Sequence, residues 1–416
     1  MMLISIVPWI LFMYASPPHP EPPIVKDDAG QQILESFLGH VQSSESYCTP
    51  EAMAKFAEQP EDIVWQASKY IRMPLVAYRL TGDTNYLDMF VKRMDTLCDC
   101  LEEGADGFLG WYGLPLELFR HPEHPQQQVD VILTSFVMAG LMAEFARVIQ
   151  GDEMLNAQYD EAAQRYLTLA EEHLVKKWDV RGRYKDLGET GAVYITHPDL
   201  KPTKANLTQP HNKHAKIIRA LLNLYAATQK DKYLIKAIKL GTRFKQCLTL
   251  VEEHYKWHYW EPAGAWDRDT EDPSKWEHWI GAEHRGGYYS LSLSQAVLLY
   301  EHGLVFNKTD IERFIKTQTT VCWNGDVNNP RWSRIDGQAS DQSYLCTWLA
   351  PFDERIYELA YGTQAQRERL KHKEHVWRGG VIAGDWLEFK YLIYPRWKGG
   401  APAEKAVVSQ AKLMRK

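Results

Sequence analysis

A turn that recurs between helices constrains this chain more than any other feature. Tyr78-Arg79-Leu80-Thr81-Gly82-Asp83-Thr84-Asn85-Tyr86-Leu87 and Tyr225-Ala226-Ala227-Thr228-Gln229-Lys230-Asp231-Lys232-Tyr233-Leu234 share a Tyr, a Thr three positions on, and Tyr-Leu at the eighth and ninth. Looser relatives stand at Ile149 to Asp152, Tyr300 to Thr309 and Tyr361 to Thr363. Apolar residues with a helical period flank these turns, which predicts helices over Ile63–Leu80, Asn85–Leu101, Val129–Val148, Leu155–Lys176, His211–Thr228, Lys232–Leu250 and Ser290–His302. Hairpins repeating every roughly 60–80 residues imply stacked helix pairs, as an open solenoid or a closed ring. The reading adopted is all-α and single-domain: an (α/α) toroid of about six or seven hairpins over residues 61–395.

Four long aperiodic stretches interrupt the helices. Asp106–Asp130 carries Trp111, Tyr112, His121, His124 and Gln126 to Gln128, and Tyr184–Gln209 is rich in Gly, Pro and Thr. His254–Arg285 contains Trp257, Tyr259, Trp260, Trp266, Trp276 and Trp279. Trp323–Ser343 holds Arg331, Trp332, Arg334 and Asp336. Loops this long in a compact domain usually carry function. The 15 Trp and 22 Tyr suit a crowded helical core or a surface that stacks sugar rings.

Net charge is −6, yet Lys201–Lys245 has eleven Lys or Arg against one acid, Asp231. An acidic chain with one basic sector is no general nucleic-acid binder; it can focus a field on an anionic ligand. The apolar run Leu3–Ala15 is too short to span a bilayer. It reads as an atypical secretory signal over 1–16, followed by a lead segment over 17–60, with a basic tail over 396–416. The expected location is secreted or periplasmic, without stable membrane insertion. Six cysteines form no CxxC, and their pairing is not readable.

Two helix beginnings offer chemistry. Gln209-Pro210-His211-Asn212-Lys213-His214 opens one, with Pro210 a natural helix entry. His211, His214, Ile218, Leu221 and Tyr225 share a face, expected to point inward and to end in imidazoles at a mouth. Glu283-His284-Arg285-Gly286-Gly287-Tyr288-Tyr289 opens the other. An amide and an imidazole on the carboxylate of an acidic sugar would stabilise the charge that develops when its C5 proton leaves. A tyrosine beside a guanidinium could take that proton, and the phenol or a histidine could protonate the leaving O4.

The hairpins, the Asn-His pair on one helix start and the Arg with Tyr on a later one resemble the alginate and glucuronan lyases of (α/α)-toroid fold. The resemblance implies β-elimination on a 1,4-linked polyuronate, with Asn212, His214, Arg285 and Tyr288 or Tyr289 as the catalytic set. His211, Lys213, His284, Trp260, Trp279, Arg334 and Gln127 are the expected substrate-binding groups, and neither metal nor cofactor is expected. The Asn-Asn-His-Ser-Tyr-Trp string of one alginate-lyase family is absent, which favours another lyase family on the same toroid. Rival readings are a hydrolase using Asp267, Asp269, Glu271, Asp272, Glu277 or Glu283, a metal enzyme using His254, His258, His278 and His284, and a glycan-binding scaffold.

Overall fold

The computed structural model describes residues 24–362 and 376–393. Helices dominate. Helix α1, Asp28–Ser43, starts where Asp27 accepts the Gly30 N–H, and α2, Pro50–Ala57, where Thr49 accepts the Ala52 N–H. The short α3, Pro60–Asp62, runs through a π-helical turn into α4, Ser68–Thr81, and α5, Asn85–Cys98, follows. Next come α6, Ile132–Gln150, α7, Glu153–Thr168, and, after a second π-helical turn, α8, Lys176–Val180. Then come α9, His211–Thr228, α10, Asp231–Gln246, α11, Gly286–Glu301, and α12, Lys308–Lys316. The short α13, Glu354–Tyr357, and α14, Val376–Leu387, end the series.

The recurring turn has a physical cause. Gly82 and Gln229 both stop their helices in the left-handed region, at φ 75° and 56°, and donate to Tyr78 and Tyr225 carbonyls at 2.7 and 2.8 Å. Thr81 and Thr228 return their hydroxyls to the Ala77 and Leu224 carbonyls, and the Tyr-Leu pair that follows is buried.

α4 packs on α5, α6 on α7, and α9 on α10 as successive hairpins. α6, α9 and α11 lie side by side; Gly140 permits this, since a Cβ there would sit 2.9 Å from Ala220 Cα. α4 touches α6, and α14 returns to pack on both α1 and α4. α6 is long and apolar enough to cross a membrane, but 89% of that stretch is buried inside the protein as a core helix. The long loops hold small antiparallel hairpins: β1, Glu102–Glu103, with β2, Leu109–Gly110; β3, Tyr112–Gly113, with β4, Val129–Asp130; β5, Tyr184–Asp186, with β6, Ala192–Tyr194; β7, Thr249–Val251, with β8, His254–Lys256; and β9, Trp332–Ser333, with β10, Ala339–Ser340.

Every helix expected from periodicity is present. Residues 28–47 and 50–57 of the expected lead are also helical, and α1 packs against α14 as part of the body. The expected signal and basic tail lie outside the described residues. All six cysteines are unpaired.

Candidate active site

At both helix beginnings some of the expected residues are packed into the core. On α9 the His211 ring lies 5.0 Å from the Phe244 ring of α10, its Nε2 is buried without a partner, and burial holds the imidazole well below its usual range. His214 Nε2 accepts the Tyr194 N–H of β6 at 3.0 Å; burial, and then Arg243, hold it down to about 3. Its ring is therefore neutral with the proton on Nδ1, a structural acceptor rather than a catalytic group. The stripe expected to face inward is buried along its length, but its first turn packs against α10 and β6 and does not open on a mouth. α9 is packed on several sides, so an apolar period does not say which face is the outer one.

The opposite face of α9 carries Asn212, Lys216, Arg219 and Asn223, at i, i+4, i+7 and i+11. Asn212 is 2% exposed, and its Oδ1 has no partner. Lys216 and Arg219 are half-buried, with Lys216 Nζ 5.3 Å from the centre of the Trp65 ring and the Arg219 guanidinium 4.7 Å from that of Trp348. Burial, then Arg219 and Lys69, push Lys216 down to about 8. Asn223 closes the stripe by donating to the Gly140 carbonyl at 3.2 Å.

On α11, Tyr289 is 0% exposed. It stacks on Trp257 at 5.5 Å and donates to Gln318 Oε1 at 3.2 Å, and burial raises its phenol far above the usual range. A proton acceptor for substrate it is not. Tyr288 instead keeps partial exposure, as do Leu291, Leu298 and His302 on the same face. Its ring stacks on Tyr259 at 5.5 Å, His284 meets it edge-on at 5.7 Å, and the Arg285 guanidinium lies 5.5 Å from its centre. His284 is exposed; partial burial, then Arg285 and Arg334, hold it below the usual imidazole range. Trp279, 49% exposed, stands edge-on to His284 at 5.9 Å. Arg334 donates to Asp336 at 2.8 Å, and its Nε is buried without a partner.

Tyr259 joins the two helix starts. Its carbonyl accepts the His211 N–H at 3.4 Å while its ring carries Tyr288. Gln295 of α11 also donates to the His211 carbonyl at 3.4 Å. Asn212, which is buried, and Tyr288, which is partly exposed, therefore stand at the starts of two adjacent helices.

Further along, the polar stripes of five helices meet. Arg72 of α4 pairs with Glu144 of α6 at 3.3 Å and with Glu388, just past α14, at 2.9 Å; Arg79 pairs with the same two carboxylates at 3.3 and 2.5 Å. Despite burial, Arg72 and Arg79 hold Glu388 down to about 2. Arg147 of α6 lies within electrostatic reach of His302 of α11, and Arg219 of Arg72 and Asp385. Among the described residues Arg147, Lys216 and Arg219 have no ion-pair partner. Asp385 lies 3.8 Å from Arg72 with its side chain 66% exposed. Sequence reasoning missed this cluster; the polar positions 212, 216 and 219 in an otherwise apolar helix were the available signal.

Other expected residues fall elsewhere. Trp260 is buried, with its Nε1 donating to the Thr208 carbonyl at 2.7 Å, and forms wall rather than surface. Lys213 lies over Phe119 at 5.4 Å beside a cavity of about 30 Å³ that includes Glu61 and Gln209, too small for a sugar ring. Gln127 is exposed in its loop and donates to the neighbouring Gln128 carbonyl at 3.2 Å. Of the carboxylates considered for hydrolysis, Asp267 is buried and accepts Thr208 N, Thr208 Oγ1 and Ala263 N. Glu283 is buried against the Ser292 hydroxyl, and burial pushes it up to about 8. Neither is open to substrate. Among the described residues, the side chains that do bring metal-ligand atoms together are His121, Glu123 and His124, within 4.8 Å of one another on the 106–130 loop.

No protein-family model matches the chain, and no curated protein matches it in sequence. Among solved structures it resembles a D-mannose isomerase, at 13% identity over 77% of this chain and 73% of that one, with a TM-score of 0.42. A likeness that loose assigns no reaction.

Proposed function

We propose that the chain is an (α/α)-toroid polysaccharide lyase that cleaves a 1,4-linked polyuronate, such as polymannuronate or glucuronan, by β-elimination. One observation carries the reading: Asn212 and Tyr288 stand at the starts of adjacent helices, and Tyr259 bridges those starts, its carbonyl accepting the His211 N–H and its ring stacking on Tyr288. A closed ring of helices is favoured by the return of α14 to α4 and by the convergence of five polar stripes.

The Asn212 amide hydrogen-bonds the uronate carboxylate, so that charge developing on removal of the C5 proton meets a fixed dipole. Tyr288 reacts as the phenolate: it takes that proton, the C5–H electrons form the C4–C5 double bond as the C4–O4 bond breaks, and the phenol so formed gives the same proton to O4, which restores the phenolate. Arg285 supplies positive charge beside the phenol. His284, neutral at pH 7, is the second proton carrier at the same place. Tyr259 and Trp279 offer ring faces and edges to the sugars on either side. His214 has no part in the chemistry, since its free nitrogen is occupied by Tyr194.

The test is ultraviolet absorbance on polymannuronate and glucuronan, with reducing ends counted in parallel. The expected result is absorbance rising in step with new ends, from the conjugated double bond. New ends without absorbance would give the reaction to a hydrolase.

A further inference from the structure

Asn212 explains how the reacting sugar is held but leaves Lys216 and Arg219 without a task. Two cations one and two turns below Asn212, each backed by a tryptophan face and neither paired with an acid among the described residues, carry an unfavourable charge burial unless an anion completes them. Arg72, Arg79, Arg147, Lys216 and Arg219 face Glu144, Asp385 and Glu388, an excess of two positive charges. Above them, the Asn212 Oδ1 is a nine-tenths-buried acceptor without a donor, placed for a hydroxyl. Hydroxyl acceptor and cation pair together match a sugar acid better than a bare anion or a neutral sugar.

We infer that Lys216 and Arg219 form a second acidic-sugar subsite, which takes the carboxylate of a uronate adjoining the one that reacts. The inference rests on the proposed lyase only for the identity of the sugar; its test uses a monosaccharide with no bond to cleave, so absence of elimination would not mimic its failure. Arg72, locked between Glu144 and Glu388, is the floor on which the subsite stands.

Calorimetric titration with glucuronate, glucose and inorganic phosphate at fixed ionic strength tests it on the whole protein. Wild type is expected to bind glucuronate and not glucose, with affinity falling about 10- to 100-fold in Lys216→Met and in Arg219→Met, while Arg219→Lys retains most of it. Phosphate binding tighter than glucuronate would overturn the carboxylate assignment in favour of a phosphoryl group. Glucose binding as well as glucuronate, no glucuronate binding, or methionine variants binding like wild type would each overturn the subsite. Should the methionine variants misfold, acylation of Lys216 in wild type, read by mass spectrometry, decides: glucuronate is expected to protect it and glucose not, and equal labelling in both contradicts the assignment.

Discussion

The starts of α9 and α11 look alike in sequence, each a loop end followed by polar and aromatic groups on a helix, but the structure uses them differently. At α9 the imidazoles turn into the core and become neutral packing groups, while the amide between them lies on the helix face that carries Lys216 and Arg219. At α11 adjacent tyrosines divide the same way: Tyr289 is stacked on Trp257 in the interior, and Tyr288 stays at the rim with His284 and Arg285. One residue of offset on a helix is about 100°, enough to separate a structural side chain from a working one. The residue type most suggestive of catalysis is therefore the wrong guide at both helices; the helical face decides.

Substitution at the paired tyrosines would break or sharpen that contrast most strongly. Tyr288→Phe is expected to lower kcat by about 10²- to 10⁴-fold with an unchanged melting temperature. Tyr289→Phe is expected to keep turnover and to lose about 1 kcal/mol with its hydrogen bond to Gln318. Steady-state rates and thermal unfolding of the two variants check both. The histidines should divide likewise. His214→Ala strips a buried acceptor from the Tyr194 N–H and opens a cavity, for an expected loss of about 2–4 kcal/mol in denaturant unfolding, whereas His284→Ala leaves stability unaltered and slows turnover.

A buried acid beneath the rim supplies a pH test. Glu283 has a folded-state value of about 8, above its ordinary unfolded value, so the folded state holds an extra proton between the two. Its contribution to stability is lost as pH rises through that window. Glu283→Gln is expected to stabilise the protein by on the order of 2–3 kcal/mol at neutral pH and by almost nothing at a pH below the unfolded value, read from melting curves at both. The smallest effect concerns His284. Because it is held below the ordinary imidazole range, the acid limb of kcat/KM should lie below about pH 6.5, and Arg285→Gln should move that limb upward.

Much of the fold was legible. The left-handed cap after Tyr-x-x-Thr leaves a local signature, so the hairpins at 78–87 and 225–234 could be read directly. Asn212 and Tyr288 were legible as chemistry, but not as geometry. A helix packed on several neighbours shows apolar residues nearly all round, and its period then cannot name the free face. α1 and α2 were missed because the Pro-rich start masks short, capped helices. The Arg72–Glu144–Glu388 floor could not be seen at all: its members are up to 316 positions apart and meet only after the last helix returns to the first. Lys216 and Arg219 lay within a conspicuously basic sector, where a solvated face and a ligand-facing stripe have the same composition.

The most direct test of convergence is a crystal structure of the Tyr288→Phe protein with a glucuronate or mannuronate trisaccharide bound. The expected result is one sugar whose carboxylate meets the Asn212 amide and whose C5 faces the edge of the aromatic ring at position 288. An oligosaccharide seated away from both side chains, or one that touches Asn212 and position 288 with different sugars, would contradict the proposed elimination site.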